Sequence, residues 1–389
     1  MLFCPRGQST KTEKNRIFCM NYDSKRIASV LKKFGVSFDT FQVETFHSGN
    51  INSTHRVDIR RHGKSESFVL QRINTYVFRN PIGIMENIGK VTCHIREKLI
   101  AEGTDPKGRV LEFLKREDGA NYYFEDEENF WRVYRYIDNT VTYDQAGDPD
   151  VLRNAGYSFG LFQKQLCDFP MSELNDTLPD FHNTPVRMKR FFDACEKDPV
   201  GRRHEIEEEI AIMKENLELC SKLEADRAAG ILPVRVTHND TKYNNILIHR
   251  DTGEAVCVID LDTVTPGLCA YDFGDAIRFS ANTAAEDDPD VSQVSLDLNL
   301  YRAFAEGFIS VVKDFCTPAE LDSLALGALT MTFELVARFL EDYLLGDPYF
   351  KTLREKHNLE RGRNQLALAL DMKKKFEQMQ EINRSIAGL

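Results

Sequence analysis

The chain has 389 residues, 42% of them hydrophobic and 29% charged, and 61 acidic side chains outnumber 50 basic ones for a formal net charge of −11. That length fits two domains, or one domain with a large second lobe, and the apolar content supports a packed core. The acidic balance argues against a partner gripped through its phosphates, so no nucleic acid is expected. Near-average Gly and Pro (22 and 13) exclude collagen-like and low-complexity chains, and no run approaches the roughly eighteen uninterrupted apolar residues of a membrane span.

Residues 1–23 read as a polar N-terminal extension without an apolar signal core. The nine cysteines, an odd count with no C-x-x-C pair, read as reduced and mostly buried thiols of a cytoplasmic protein. Alternating patterns then predict strands at Phe41–Phe46, Thr54–Arg60 and Ser67–Arg72, with a polar loop at His47–Thr54 and a turn at Arg61-His62-Gly63-Lys64. Pro81–Ala101 carries Ile84, Ile88, Val91 and Ile95 at helical spacing. Further strands are expected at Arg109–Lys115, Asn121–Phe124 and Phe130–Ile137, with the acidic run Glu125–Glu128 as a solvated hairpin tip.

After about residue 140 the pattern turns helical. Glu205–Arg227 places Ile206, Ile210, Met213, Leu217 and Leu223 on one face. Thr317-Pro318-Ala319-Glu320 is a capping box opening a helix to about Leu345, and Leu359–Ile386 reads as a last long helix. A hairpin interrupts the helices: Asn245–Ile248 and Ala255–Ile259, joined by the turn Asp251-Thr252-Gly253. The expected class is α+β, with an antiparallel-sheet N-lobe over 24–139 and a mostly helical C-lobe over 140–389.

The densest polar chemistry lies in His238-Asn239-Asp240-Thr241-Lys242-Tyr243-Asn244-Asn245 and in the return of the hairpin at Ile259-Asp260-Leu261-Asp262. Asn245 and Asp260 are hard oxygen donors of the kind that suits Mg²⁺, which keeps some waters and binds nucleotide phosphates. Asp240 can accept or orient a hydroxyl proton, and Lys242 can neutralise a transferring phosphoryl group.

This spacing, H-x-D-x-x-x-x-N followed by a hairpin and an aspartate, resembles the catalytic loop of the protein-kinase-like superfamily. The string Asp272-Phe273-Gly274 lies 32 residues past Asp240, whereas Asp260 lies 20 past it and directly follows the hairpin, so the metal role goes to Asp260. His-Asn-Asp with Ile-Asp-Leu-Asp looks like the aminoglycoside and choline phosphotransferase branch. Longer strings are similar to the N-acetylhexosamine 1-kinases: Leu70–Asn74, Met85–Ile88, Phe162–Leu166, Leu178–Pro185, Tyr271–Arg278 and Thr332–Leu344 with Gly346-Asp347. The similarity runs from about residue 40 to about 355.

What the resemblance implies is a two-lobed protein-kinase-like fold that uses ATP and Mg²⁺ to phosphorylate a small-molecule sugar at its C1 hydroxyl. Asp240 would be the base, assisted by Lys242, with Asn245 and Asp260 holding the metal. His238 would buttress the loop, Asp272 would hydrogen-bond it from behind, and Asp275 and Arg278 would form an ion pair. Asp262 either holds a second ion or rigidifies the loop. Ser48 and Asn50, in the loop that replaces a glycine-rich lid, would cover the nucleotide phosphates. Gln71 occupies the register of the phosphate-pairing lysine, Arg72 lies beside it on the opposite face, and Glu86 stands where that lysine's partner would be. Tyr136 and Ile137 fall at the hinge that reads adenine. Candidates for the sugar are His47, Asp180, His182, Arg338 and Tyr349, whereas Trp131, the lone tryptophan, reads as sheet core. Kinases of choline, another sugar or an aminoglycoside, and a non-catalytic nucleotide- or sugar-binding module, are the rival readings.

Overall fold

Residues 24–46, 51–143 and 147–389 are described by a computed structural model of the chain. His47, Ser48 and Asn50, named above for sugar and phosphates, lie outside these residues.

The smaller of two units contains the described residues up to Pro81 together with Glu112–Tyr136. It opens with α1 (Ser24–Lys33) and is built on one antiparallel sheet: β1 (Thr40–Phe46), β2 (Ser53–Arg61), β3 (Lys64–Ile73), β4 (Tyr123–Asp126) and β5 (Asn129–Arg135), ordered β1-β2-β3-β5-β4. His62 and Gly63 link β2 to β3 with φ of 49° and 77°, the two positive values that a two-residue hairpin loop needs to match strand twist. Alternation then sorts the faces. Val57, Ile59, Phe68, Leu70, Trp131 and Val133 pack with Ile27, Val30 and Leu31 of α1, and Trp131 is core as expected. Gln71 and its register partner Arg132 fall on the other face.

Two of the expected strands change. Arg109–Lys115 forms no strand, only the bridge Phe113 to Tyr134: Arg109 N–H closes a turn on Pro106 O, and Gly108 at φ 75° breaks the run. β4 begins two residues later than expected, so Glu125 and Asp126 belong to the strand and Glu127-Glu128 form the tip.

The larger unit comprises Ile82–Leu111 and Ile137–Leu389. It therefore takes nearly all of α2 (Pro81–Ala101), and the chain enters it for the second time between Tyr136 and Ile137. Its strands are β6 (Thr140–Val141), β7 (Arg235–Thr237), β8 (Ile246–His249), β9 (Ala255–Val258) and β10 (Thr265–Gly267), forming the sheets β6-β8-β9 and β10-β7. The helices are α3 (Pro149–Gln165), α4 (Thr184–Lys197), α5 (Glu207–Glu215), α6 (Leu217–Ala228), α7 (Cys269–Ser280), α8 (Leu298–Val312), α9 (Pro318–Leu344), α10 (His357–Lys374) and α11 (Phe376–Ala387).

Both helices expected to be long and unbroken in this unit are split. Asn216 separates α5 from α6, its side-chain amide donating to Ile212 O at 2.8 Å in competition with the backbone ladder. Lys375 separates α10 from α11, with its ammonium donating to Asp371, Ser295 and Leu296 O. The capping box is present: Thr317 Oγ1 accepts from Glu320 N–H and Glu320 accepts from Thr317 N–H, with Pro318 at the first helical position.

By length and composition alone α9 could cross a membrane, but 83% of its most apolar window is buried inside the protein. It is the central core helix. Where α7 crosses it, a Cβ at Gly274 would lie 2.4 Å from Gly327 O, and one at Gly327 would lie 2.2 Å from Ala270 O. Only glycines allow this approach. Of the described cysteines, Cys195, Cys220, Cys257 and Cys269 are buried, Cys316 is half-buried, and Cys93 and Cys167 are exposed.

Candidate active site

β7 delivers the polar loop, and α7 holds it from behind. Asp272, fully buried in the first turn of α7, accepts the backbone N–H of His238 at 2.9 Å and of Asn239 at 2.7 Å, and the side-chain amide of Gln163 at 2.7 Å. Burial nonetheless pushes its carboxyl up from the ordinary value. One turn on, Asp275 accepts Thr241 N–H at 2.8 Å and is paired with Arg278, which also reaches Glu286 at 2.8 Å. His238 spans the gap to the hairpin, its Nε2 donating to Ile259 O at 2.9 Å while Nδ1 accepts Asp240 N–H at 3.3 Å. The expected supporting roles of His238, Asp272 and the Asp275–Arg278 pair are all present.

Asn239 fixes the bend. It adopts φ 65°, a left-handed conformation that asparagine tolerates better than most residues. Its side-chain amide donates to Thr263 O at 2.9 Å and Thr265 Oγ1 at 3.0 Å, while Thr237 Oγ1 lies 2.9 Å from its Oδ1. The bend presents Asp240 half-buried, with Lys242 Nζ 3.1 Å from Oδ1 and Asn245 Nδ2 donating to Oδ2 at 3.0 Å. Burial is the largest single influence and works to raise the Asp240 carboxyl, but the charge and hydrogen bond of Lys242 together with His238 and Arg278 outweigh it and hold the group below its ordinary value, ionised. The same pairing raises Lys242.

Asn245 and Asp260 flank the same end of the hairpin, where Ile259 N–H donates to Asn245 O at 2.9 Å. The Asn245 side-chain nitrogen is committed to Asp240, which leaves its oxygen as the group to offer a cation. Asp260 is exposed and sits at φ 58°. No group of three or more His, Cys, Asp or Glu side chains arranged for a metal occurs among the described residues. That donor set fits Mg²⁺, which typically takes one or two protein oxygens and completes its shell with waters and phosphates. Asp262, by contrast, is 3% exposed, and such burial suits the rigidifying role better than a second ion.

The site therefore sets a carboxylate, a cation and two hard oxygens on a buttressed loop and hairpin, and comparisons with known proteins give the family and the fold. The sequence pattern of the phosphotransferase enzyme family matches residues 42–306, well over half of the chain. The chain belongs to that family. Solved structures agree in fold. A microcompartment-associated aminopropanol kinase superposes with a TM-score of 0.61 at 15% identity, covering 92% of this chain and 98% of the other. Choline kinase from Cryptosporidium parvum Iowa II gives 0.55 at 14% identity, with 92% and 98% covered. Spectinomycin phosphotransferase, in complex with ADP and spectinomycin, gives 0.54 at 13% identity, with 91% and 98% covered.

On the smaller unit of this phosphotransferase, Gln71 has both ends of its amide engaged, donating to Thr54 Oγ1 at 2.9 Å and accepting from Arg132 Nε at 2.8 Å. Arg72 reaches Glu128 O at 3.5 Å from the α1 side of the sheet. Tyr136 donates its N–H to Ser67 O at 3.0 Å and lies under the Arg56 guanidinium, which is 4.3 Å from the ring centroid. In the larger unit, Ile137 O accepts from Thr140. The Glu86 carboxylate, expected as partner to a phosphate-pairing cation, instead accepts from Asn175 Nδ2 at 2.9 Å on its own unit.

The acceptor-side candidates separate into three environments. Arg338 is half-buried between the rings of Phe181 and Phe350, 5.4 and 5.7 Å away, and makes no hydrogen bond or ion pair among the described residues. Nearby Arg187 is lowered to about 10, by burial first and by the Arg338 charge second. Tyr349 is 51% exposed, its N–H tied to Asp342, and Asp180 is exposed at φ 55° and accepts from Asn183. His182 departs from the expectation of a substrate contact. It is buried, with Nδ1 2.9 Å from Glu334 Oε1 and Nε2 2.9 Å from Asn239 O, so both ring nitrogens are occupied inside the protein. Sequence reasoning missed the roles of Asn239, Thr241 and Glu334. A polar side chain in the apolar stretch of α9 was the signal for Glu334.

Proposed function

We propose that this phosphotransferase moves the γ-phosphoryl group of ATP, with Mg²⁺, to the C1 hydroxyl of an N-acetylhexosamine. The observation that carries the reading is the convergence of Asp240, Lys242, Asn245 and Asp260 on one loop and one hairpin, braced by Asp272. The ionised Asp240 would take the proton of the acceptor hydroxyl as the phosphoryl group arrives in line. Lys242 would then turn from Asp240 toward the charge on the transferring group. Asn245 and Asp260 would hold Mg²⁺, whose contribution when bound is to neutralise and orient the phosphates.

Arg338 favours a neutral acceptor. A half-buried guanidinium with no ion pair among the described residues, beside Arg187, disfavours a cationic amine and attracts hydroxyl and carbonyl oxygens, although Glu334 and Glu341 feel its charge. The choice of an N-acetylated sugar among neutral acceptors rests on the sequence strings shared with the N-acetylhexosamine 1-kinases. Fold likeness to choline and aminopropanol kinases supports the rival, an amino-alcohol kinase.

The test is ATP consumption with Mg²⁺ against N-acetylglucosamine, N-acetylgalactosamine, glucosamine, galactose, choline and kanamycin. Turnover on the N-acetylated sugars, giving a product without a reducing end, supports the proposal. Turnover confined to cationic acceptors moves the function to the rival, and nucleotide binding without turnover on any acceptor makes the chain a binding module.

A further inference from the structure

We propose that His182 and Glu334 are positioning residues that set the direction of the Asp240 carboxylate through the peptide plane joining Asn239 to Asp240. The inference rests on the reading of Asp240 as base and adds to it. That peptide is held at both ends by imidazoles. Its carbonyl, Asn239 O, accepts from His182 Nε2 at 2.9 Å, and its N–H, from Asp240, donates to His238 Nδ1 at 3.3 Å. The remaining groups of Asn239 are fixed by Asp272, Thr263 and Thr265. Rotation of this plane would swing the Asp240 side chain, so its two clamps decide where the base points.

The His182 clamp is itself oriented from outside the loop. Its Nδ1 faces Glu334 Oε1 at 2.9 Å, and the other oxygen of Glu334 accepts from Thr184 Oγ1 at 2.8 Å. All three side chains are buried, Glu334 completely. Phe181 and Tyr271 pack beside the imidazole, with centroids 4.5 and 5.5 Å away, and block other ring orientations. An unpaired carboxylate could not stay charged there. Burial opposes its charge, but His182 together with Arg338 and Arg187 holds Glu334 below its ordinary value. Glu334 and Arg338 lie four residues apart on α9 and so share a helix face. The face that would meet the acceptor is therefore the face that orients the base.

Asparagine and glutamine separate the two ring nitrogens. His182→Gln carries an amide nitrogen near the Nε2 position and can still donate to Asn239 O, whereas His182→Asn reaches only the Nδ1 position. In the full chain, His182→Asn is expected to lower kcat about 10- to 100-fold with acceptor KM within about threefold, and His182→Gln to restore most of kcat. Glu334→Gln should fall between wild type and His182→Asn. Deuterium exchange of the 237–245 peptides should quicken in His182→Asn but not in His182→Gln, with the two variants melting at similar temperatures. A raised KM at unchanged kcat would make His182 a substrate contact and overturn the inference. Equal kcat losses that track melting temperature would overturn it as well, leaving only a structural role. If the wild type turns over no acceptor, the proposed reaction fails, but exchange still decides: quickening confined to His182→Asn supports the clamp, and unchanged exchange refutes it.

Discussion

Asn245 donates its side-chain amide to both the carbonyl and the carboxylate of Asp240, at 2.8 and 3.0 Å. The proposed base and one proposed Mg²⁺ ligand are thus one hydrogen-bonded unit. A cation drawn to the Asn245 oxygen polarises the amide and strengthens its donation to Asp240, so metal loading and the orientation of the base are linked.

Asp240→Asn is expected to lower kcat by about 10² to 10⁴ while leaving nucleotide affinity nearly unchanged. Lys242, with His238 and Arg278, keeps Asp240 below its ordinary value against the pull of burial, so this carboxylate places no acid limb on activity near neutrality. In Lys242→Met burial is opposed only by His238 and Arg278, and the limb should move up toward neutral pH. A pH profile of kcat/KM for the two proteins checks this, and coincident acid limbs would refute the electrostatic account.

Asp260→Asn keeps a side chain suited to the left-handed backbone at φ 58° but removes the anionic donor. Half-saturation by Mg²⁺ should rise about tenfold or more, with the melting temperature little changed. A Mg²⁺ titration of activity that matched wild type would remove Asp260 from the metal site.

Asp272→Ala leaves the N–H groups of His238 and Asn239 and the amide of Gln163 without their acceptor inside the protein. A loss of about 3 kcal/mol or more in urea unfolding is expected, since each buried orphan donor costs on the order of 1–3 kcal/mol. A loss below about 1 kcal/mol would show that water or a neighbouring group replaces the carboxylate.

Asp342 gives the fold a pH signature of the opposite kind. Burial raises its carboxyl to about 6, although it accepts from Tyr349 N–H, Phe350 N–H and Asn358. A raised folded-state value means the native chain holds the proton more tightly than the unfolded one. This group therefore adds stability as pH falls from about 6 toward 4, and that gain is lost as pH rises through 6. Melting temperature against pH should lose this contribution in Asp342→Asn, and parallel curves for the two proteins would contradict it.

The sheet unit was legible in sequence because alternation and the His62-Gly63 turn are local signals; the bounds of α2 followed from Pro81 and its apolar spacing. The proposed catalytic segment could be picked out for a related reason, since its groups lie on one loop and one hairpin with fixed spacing. The breaks at Asn216 and Lys375 were not, because each depends on a side chain reaching a partner that helical periodicity does not encode. His182 shows the same limit: only the fold brings Glu334, 152 residues away, against its ring.

The glycine contact between α7 and α9 has a consequence for how such a protein can diversify. Gly274 and Gly327 leave no room for even a methyl group, so neither helix can slide without forcing the two backbones apart. α7 carries Asp272 and Asp275 under the loop of the proposed base, and α9 carries Glu334 and Arg338. With the two backbones locked together, a change of acceptor at the proposed site would have to come from swapping side chains along the Glu334–Arg338 face of α9 and in the segment around Tyr349. On the proposed reading, the chemistry of transfer and the choice of recipient could diverge while the frame that joins them stays fixed.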